Sequence, residues 1–318
     1  MKTCLARRLQ TLAWLTLAAL AIGQLGTLHW FAELFSHFVP HYAAIFALAA
    51  LCLRHRKKPL SRWERGRGEG ERCTINNQFI WLISQNSYYF WITLTVALTV
   101  WTLWPPVLDP PDRAATRVIW YNVNLNNRDA AGESARLIAE NADIIALAEI
   151  QLRDPGWQAL RQHYPHGCAH EDSSPFALAV FAREPLAACD IFFPAEYPAI
   201  RAVLPDGRVL YAAHPPPPIN SELARARVDY LRALADRLAT ENSALLVGDL
   251  NSSPYSPHYR ALLRDAGLRA TTRNILPTWL PLGLNLDHAL VRHGRAHSTA
   301  LPWHTSDHRP LHIQWSPP

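Results

Sequence analysis

Three short polar clusters near the C-terminus have the composition of a hydrolytic site. They read Gly-Asp-Leu-Asn at 248–251, Leu-Asp-His at 286–288 and Ser-Asp-His at 306–308. Each cluster adjoins an apolar, strand-like run, so the three aspartates and two histidines can meet at one edge of a β-structure. Carboxylates beside imidazoles are the groups that a metal-assisted attack of water on a phosphate ester needs. The sequence has no glycine-rich phosphate loop and no Gly-x-Ser-x-Gly motif that would indicate other chemistry.

The elements that must position these clusters can be read from the apolar runs. Short apolar runs bounded by turn residues are typical of buried strands. Four such runs end in a polar residue, and these residues are Asn122, Glu149, His214 and Asp249. Two later runs, at 289–291 and 311–313, follow polar pairs instead. If the last two strands run antiparallel to the first four, all six polar positions meet at one rim. Helices are predicted between the strands, at 133–141, 156–164, 222–240 and 259–266.

In this order and at these intervals, the polar residues resemble the motif set of the endonuclease/exonuclease/phosphatase superfamily. The resemblance covers roughly residues 115–316. It implies an α/β (α+β) four-layer sandwich, in which two mixed β-sheets are flanked by helices. It also implies a divalent-metal-dependent phosphoesterase that hydrolyses phosphodiester or phosphomonoester bonds by in-line attack of water, with endonuclease or exonuclease activity among the options.

The resemblance also assigns roles to single residues. Asp249 would position the attacking water, and Asn251 would donate to the phosphate. His308, oriented by Asp287, would face the scissile phosphate, and His214 would stabilise the transition state or protonate the leaving oxygen. The implied metal ligands are Asn122, Glu149 and Asp307. Oxygen ligands favour Mg²⁺ as the ion, and Mn²⁺ would fit as well.

Some of these assignments have a structural alternative. A buried Glu149 could instead pair with an arginine, since a lone buried charge is costly. Asn251 could serve only in an Asx-type turn. Asn124 stands where some superfamily members carry an acid, so a second metal contact lacks its usual carboxylate here.

Three further residues are open to two interpretations. His288 follows Asp287 on a strand and should point to the opposite face, which favours a structural role. Trp279 could contact substrate or pack in the core. Arg183 could contact phosphate, although Phe-Ala-Arg at 181–183 departs from the Ser-Arg usual in the family.

The first 108 residues differ in kind from the rest. Three apolar stretches, at about 9–28, 38–53 and 88–107, have lengths that suit a bilayer. We therefore predict a membrane anchor of about three transmembrane helices at 1–108 and a catalytic domain at 109–318. The alternative for the first stretch is a cleaved signal peptide, although no clear cleavage site follows it.

Charge predicts the orientation of this anchor. Eight basic residues lie in the loop at 54–72, and Lys2, Arg7 and Arg8 precede the first stretch. By the positive-inside rule, both regions are cytoplasmic. Three crossings then place the catalytic domain on the outer face of a multi-pass protein, which is the periplasmic face of the inner membrane in a Gram-negative cell.

The charge is also divided between the two regions. Residues 1–108 hold 11 basic and 4 acidic residues, whereas residues 109–318 hold 20 and 22 and contain no lysine. A slightly acidic domain disfavours duplex nucleic acid, because phosphate contacts dominate such binding. The expected partners are the lipid bilayer and a phosphate-ester substrate that is a lipid, a small molecule or a nucleic acid, and no protein partner can be inferred. The alternative of another class is a catalytically silent, membrane-tethered binding module.

The two cysteines of the exported domain give one more prediction. Residues 167–170, 176–182 and 187–193 have the pattern of three successive strands joined by short turns. In a meander, the first and third strands would hold Cys168 and Cys189 about 10 Å apart. A disulfide needs Cα atoms within about 7 Å, so we predict that these cysteines do not pair.

Overall fold

The computed structural model describes residues 2–54, 74–104, 112 and 115–317, so most of the basic loop at 54–72 lies outside the described residues. The chain forms two compact units. The first comprises Met1–Gly23 and Phe38–Leu103, and the second comprises Gln24–His37 and Trp104–Pro318. The short segment 24–37 therefore belongs to the same unit as the predicted catalytic domain, although about 70 residues of the first unit separate it from the rest along the chain.

Four helices form in the first part of the chain: α1 (Lys2–Gln24), α2 (Trp30–Leu34), α3 (Val39–Arg54) and α4 (Thr74–Leu103). In the first unit, Gln10 of α1 joins the other two helices. Its side-chain amide donates to the Ala49 carbonyl on α3 at 3.0 Å and accepts from the Trp91 indole on α4 at 2.7 Å. Trp91 is fully buried and stacks on Phe46 with ring centroids 5.2 Å apart. One glutamine thus supplies polar contacts between otherwise apolar helices.

Among the described residues, one continuous helical stretch is long and apolar enough to cross a membrane. It runs over Trp30–Leu53, 24 residues, and α1 and α4 do not reach the same apolar content. Buried core helices and signal sequences share this composition, so the stretch alone is weak evidence for an anchor. Its first part, through His37, lies in the second unit.

The second unit contains twelve strands and four more helices among its described residues. The helices are α5 (Ala130–Ala139), α6 (Gln158–His163), α7 (Ser221–Leu238) and α8 (Pro257–Asp265). The strands are β1 (Thr116–Asn122), β2 (Ile144–Ala148), β3 (His166–His170), β4 (Leu178–Ala182), β5 (Ala188–Phe192), β6 (Ala199–Val203), β7 (Val209–Ala213), β8 (Ala244–Asp249), β9 (Arg269–Ala270), β10 (Asp287–Arg292), β11 (Arg295–Ala300) and β12 (Leu311–Ser316).

These strands form two six-stranded sheets. The order in the first sheet is β11-β12-β1-β2-β4-β3, and the order in the second is β5-β6-β7-β8-β10-β9. Alternating residues of β1 show how the layers form, because Val118 and Trp120 pack between the sheets whereas Ile119 and Tyr121 pack under α5 and α6. On the other side, α7 and α8 cover the second sheet. The four-layer sandwich of two mixed sheets flanked by helices is confirmed.

The strand directions bring the polar ends together. β1 runs parallel to β2, and β7 runs parallel to β8. The two later strands run the other way, since β12 is antiparallel to β1 and β10 is antiparallel to β8. The polar residues that end the first four strands and precede the last two therefore share one rim, as the sequence predicts.

The prediction for the cysteines is wrong. Cys168 and Cys189 form a disulfide with their Cα atoms 5.9 Å apart. β3 and β4 pair as expected, but β5 does not join them and instead pairs with β6 in the second sheet. The chain changes sheets between β4 and β5, so the two cysteines face each other from edge strands of opposite sheets.

Candidate active site

The rim holds a cluster of carboxylates and imidazoles above the core between the sheets. Asp249, Asp287 and His308 lie within 4.8 Å of one another, counted between side-chain atoms that could bind a metal ion. The Nε2 atom of His214 lies 3.7 Å from Asp249 Oδ2 and 3.8 Å from Glu149 Oε1. Residues from both sheets therefore face one small volume, and each comes from a strand end that the sequence predicts.

Asn122 and Glu149 form the part of the cluster that belongs to the first sheet. The Asn122 side-chain NH₂ group donates to Glu149 Oε1 at 2.8 Å and to Asp249 Oδ2 at 3.2 Å. The other oxygen of Glu149 accepts from the Leu125 N–H at 2.9 Å. Among the described residues, Glu149 approaches His214 and forms no ion pair with an arginine. The salt-bridge alternative for Glu149 therefore finds no support.

Three residues of this rim adopt left-handed backbone conformations. The φ angles are 65° at Asn124, 57° at Glu149 and 48° at Asn251. Asparagine tolerates this region, but a glutamate there costs free energy. Such strain concentrates at functional sites, where the surrounding structure enforces it. Immediately after β2, the turn at Glu149 directs the carboxylate toward Asn122 and His214.

His308 and Asp287 form a closely bonded pair. The Nδ1 atom of His308 lies 2.7 Å from Asp287 Oδ2, and the Trp120 indole N–H donates to the other oxygen at 2.9 Å. Burial by itself lowers the pKa of His308, but the carboxylates of Asp287 and Asp249 outweigh it and raise the pKa to about 10. Asp287 thus fixes the ring orientation of His308 and stabilises its charged form, as the sequence predicts.

Asp249 lies at the centre of the cluster, and a glycine makes room for its strand. A Cβ atom on Gly248 would lie 2.3 Å from the Ala213 carbonyl oxygen, so only glycine fits beside β7. Burial raises the pKa of Asp249 and nearby Asp287 adds to this, while His308 and His214 oppose the shift. Asp249 Oδ1 accepts the Asn251 N–H at 3.0 Å. The ionised form of Asp249 is therefore disfavoured by its burial and favoured by its two histidine neighbours.

Asn251 and Asp307 are at the rim but are engaged with other groups. The Asn251 side-chain amide donates to the Pro215 carbonyl at 3.0 Å, and its backbone closes an Asx turn on Asp249. The two oxygens of Asp307 accept from the Asn124 amide at 2.6 Å and the Trp279 indole at 2.9 Å. Both oxygens of Asp307 are thus occupied by other side chains, and its role as a metal ligand stays a prediction.

Contacts decide the interpretations of His288 and Arg183 and limit that of Trp279. His288 points away from the cluster, bonds the Ser252 carbonyl at 2.8 Å and packs on Tyr259, in agreement with a structural role. Trp279 is only partly buried and its indole N–H donates to Asp307 at 2.9 Å, so it is not a core residue and its contact with substrate stays a prediction. The prediction for Arg183 is wrong: it follows the end of β4 that pairs with Ile144, the start of β2, whereas Glu149 follows the opposite end. There it bonds Asn141 at 2.6 Å.

Several residues that support the site are not predicted from the sequence. Trp120 precedes Asn122 by two positions on the same strand face, so period-two spacing could have placed it beside the site. Thr278 accepts the backbone N–H groups of Leu286 and Asp287 at 2.9 Å each, and Glu133 accepts the Thr305 N–H at 3.1 Å. Their partners are distant in sequence, and no local pattern indicates them.

The donor set fits a divalent cation. The rim collects four carboxylates, from Glu149, Asp249, Asp287 and Asp307, against the two imidazoles of His214 and His308. Four carboxyl groups thus face two imidazoles, and buried charge is costly unless it is paired. Hard oxygen donors of this kind suit Mg²⁺ or Mn²⁺. Asn122 would turn its amide oxygen toward such an ion, since its NH₂ group faces the carboxylates in this structure.

Comparisons with known proteins agree with this geometry. The model of the Endonuclease/Exonuclease/phosphatase family matches residues 119–308. No curated protein sequence matches the chain.

Solved structures with the same fold are distant in sequence. A functionally unknown conserved protein from Enterococcus faecalis is 14% identical, with a TM-score of 0.53 over 64% of this chain and 100% of that chain. An endonuclease/exonuclease/phosphatase from Beutenbergia cavernae is 17% identical, with a TM-score of 0.52 over 64% of this chain and 72% of that one. The 3′ phosphatase NExo from Neisseria, bound to a product DNA hairpin, is 18% identical, with a TM-score of 0.50 over 64% of this chain and 100% of that one.

The family match covers more than half of the chain, begins at Ile119 in β1 and ends at His308. Members of this family are metal-dependent phosphoesterases and nucleases, and the carboxylate–imidazole rim fits that chemistry. The chain therefore belongs to the endonuclease/exonuclease/phosphatase family.

Proposed function

We propose that this chain is a divalent-metal-dependent hydrolase of phosphate esters. The observation that carries the proposal is the convergence of Asp249, Glu149 and the Asp287–His308 pair with His214 at one rim. A silent binding module would have no need for a buried, strained and hydrogen-bonded set of this kind. The alternative of a membrane-tethered binding module is therefore the weaker one.

The residues divide the work as follows. Asp249 lies next to both histidines. It accepts a proton from the attacking water and orients a lone pair of that water toward phosphorus. His308, held charged by Asp287, and His214 on the other side stabilise negative charge on the phosphoryl oxygens or the leaving oxygen. Glu149, with Asn122 and Asp307 as further ligands, would hold Mg²⁺ or Mn²⁺. When bound, the ion would supply Lewis-acid polarisation of the phosphate.

The substrate is a phosphodiester or phosphomonoester. The slight excess of acidic residues and the lack of lysine in residues 109–318 argue against a duplex nucleic acid. The Neisseria phosphatase that shares the fold was solved with a DNA hairpin, so single-stranded and hairpin DNA belong in a substrate panel. RNA, phospholipids and small diesters complete that panel.

We further propose that the first unit is a multi-pass membrane anchor and that the second unit faces the outside. Large apolar side chains are exposed on all three of its helices, for example Leu15 at 63%, Leu48 at 52% and Val96 at 57%. Exposed apolar side chains on every one of these helices are expected of a lipid-facing surface. We keep the proposed domain division at about residue 108, except that the segment 24–37 belongs with the second unit, where it bonds Arg227 and the loop at 251–256.

Two observations support the outer location. Residues 24–37 and 104–318 form one compact unit, so an even number of membrane crossings must lie between them. The predicted topology has two crossings there, α3 and α4. The disulfide between Cys168 and Cys189 also favours an oxidising compartment.

The test is hydrolysis by the purified full-length chain. We expect turnover of at least one ester in the panel with Mg²⁺ or Mn²⁺ and its loss in EDTA. Asp249→Ala and His308→Ala should each lower kcat by roughly 10²–10⁴-fold, as is typical for loss of an acid–base group. Asp190→Asn, at an exposed position of β5, is the matched control and should keep wild-type kcat. Wild-type activity in either of the first two variants would refute the assignment.

A further inference from the structure

A buried ion pair joins the N-terminal part of the chain to the catalytic unit. Glu33, in α2, and Arg227, in α7, are 1% and 0% exposed, and the Arg227 Nη2 group donates to Glu33 Oε2. Their separation along the sequence is 194 residues. Burial lowers the pKa of Arg227, and the Glu33 carboxylate opposes that shift. Neither charge would be tolerated at this depth without the other.

Glu33 and Arg227 also hydrogen-bond the loop that follows Asp249. The Nη1 group of Arg227 donates to the Asn251 carbonyl at 2.7 Å and to Ser252 Oγ at 2.5 Å. Glu33 Oε1 accepts from Ser256 Oγ at 2.6 Å. Ser256 in turn caps α8, since its side chain accepts the N–H groups at the start of that helix. One carboxylate and one guanidinium thus fix both ends of the loop at 251–256.

A second residue of the N-terminal segment contacts the middle of this loop. His37 Nδ1 accepts the Ser253 N–H at 3.2 Å and lies 3.0 Å from Ser253 Oγ. The serines Ser252, Ser253 and Ser256 are all at most 1% exposed. Water cannot replace these partners at such depth, so the loop depends on the segment 24–37 for its polar contacts.

The loop starts beside Asp249, the last residue of β8, and its first residue is Asn251. Asn251 holds its left-handed conformation with its carbonyl on Arg227 and its N–H on Asp249. A shift of the Asn251 carbonyl would therefore move the carboxylate that the Asn251 N–H orients. Misplacement of a catalytic group by about 1 Å can cost 10²-fold in rate.

We propose that Glu33 is a positioning residue for this active site, which it supports through Arg227 and the loop at 251–256. The segment 24–37 is then a working part of the catalytic unit and not merely a connection between helices. The role in catalysis rests on the phosphoesterase function proposed above, whereas the role in holding the loop does not.

The conservative variant Glu33→Gln in the full-length chain tests the proposal. We expect kcat to fall about tenfold or more with KM changed less than about twofold, because the loop orients the reacting groups and does not bind substrate. Hydrogen exchange at amides 250–256 should become about tenfold faster, while amides of β1 keep their protection. The control is Glu222→Gln, an exposed glutamate in the first turn of α7. It should change neither quantity.

A double variant separates positioning from bulk stability. Glu33→Leu leaves the Arg227 charge buried alone, and adding Arg227→Met removes that charge. The double variant should therefore have a higher thermal midpoint than Glu33→Leu, while kcat stays low because the loop lacks its anchor. Recovery of kcat together with the midpoint would overturn the positioning role, as would wild-type kcat in Glu33→Gln.

The exchange measurement keeps this inference apart from the proposed function. If the wild-type chain hydrolyses no ester but Glu33→Gln frees the loop, the proposed function fails and the loop anchor stands. If the chain is active and Glu33→Gln leaves amides 250–256 protected, the inference fails and the function stands.

Discussion

At the scale of single residues, the strand face decides which of two adjacent side chains serves the site. Asp287 and His288 are neighbours on β10, yet Asp287 points between the sheets to His308, whereas His288 points under α8 to Tyr259. The surroundings of His308 and His288 shift their pKa values in opposite directions. The pKa of His308 is raised to about 10, because carboxylates outweigh burial, whereas burial lowers the pKa of His288 to about 4.

His288 should make the folded protein sensitive to acid. Its pKa is about 4 when folded against 6.5 in the unfolded chain. Below pH 6.5 the unfolded chain takes up a proton that the folded chain does not. The free energy of unfolding should therefore fall by about 1.4 kcal/mol per pH unit from pH 6.5 down to about 4 on account of this residue.

Urea unfolding at pH 5, 6 and 7 measures this contribution. His288→Gln has no group to titrate, so its stability should fall less steeply with acid than that of the wild type. The exposed His304→Gln serves as the control and should follow the wild-type slope. Equal slopes for His288→Gln and the wild type would show that His288 does not carry the effect.

At the scale of elements, strand ends can be predicted from the sequence and sheet membership cannot. The runs that end at Asn122 and Glu149 are indicated by apolar stretches that stop at a polar residue, and the structure places them as predicted. The predicted helices occur as well, although α7 begins at Ser221, one residue before the predicted start at 222, and is capped by Asn220. The change of sheet between β4 and β5 leaves no local signal, because both sheets use the same apolar alternation.

The same limit applies to the supports of the site. The ordered motifs predict the cluster at the rim, because each motif residue is tied to its own strand end. The contact between Glu33 and Arg227 could not be predicted, because the two residues lie 194 positions apart in different kinds of sequence. The role of Asn124 also depends on a tertiary contact, because its side-chain amide donates a hydrogen bond to Asp307.

The change of sheet between β4 and β5 allows the disulfide to form. Of the consequences of that change, the disulfide has the largest expected effect on the free energy of unfolding. Replacing Cys168 and Cys189 by serine opens a loop of sequence separation 21. We expect a loss of about 3 kcal/mol in the free energy of unfolding. Peptide mapping without reductant should recover the linked pair, and dithiothreitol should reproduce the loss. Cys52→Ser, which removes a free cysteine, should leave stability unchanged.

At the scale of the whole molecule, the two units imply a fixed relation between topology and catalysis. In the membrane topology proposed above, the catalytic residues and the segment 24–37 lie on one side, because they belong to one compact unit. The positive-inside rule then predicts that the eight basic residues of the loop at 54–72 lie on the other side.

Reporter fusions and labelling test this topology. A reporter fused after Pro318 should be active outside the cytoplasm, and one fused near Gly68 should be active inside. Leu28 is 79% exposed in the segment 24–37, so Leu28→Cys should react with an impermeant maleimide on intact cells. A cytoplasmic C-terminus would contradict both the three-helix anchor and the outer location.

The long separation between Glu33 and its partner sets an order for biogenesis. Glu33 leaves the ribosome well before Arg227, and at roughly 5–20 residues per second the interval of 194 residues lasts about 10–40 s. During that time Glu33 cannot yet pair with Arg227, and α3 and α4 are synthesised. In the topology proposed above, the segment 24–37 and the catalytic unit lie in the same compartment, so the catalytic unit would complete its fold there. The proposed phosphoesterase activity would then be confined to that compartment.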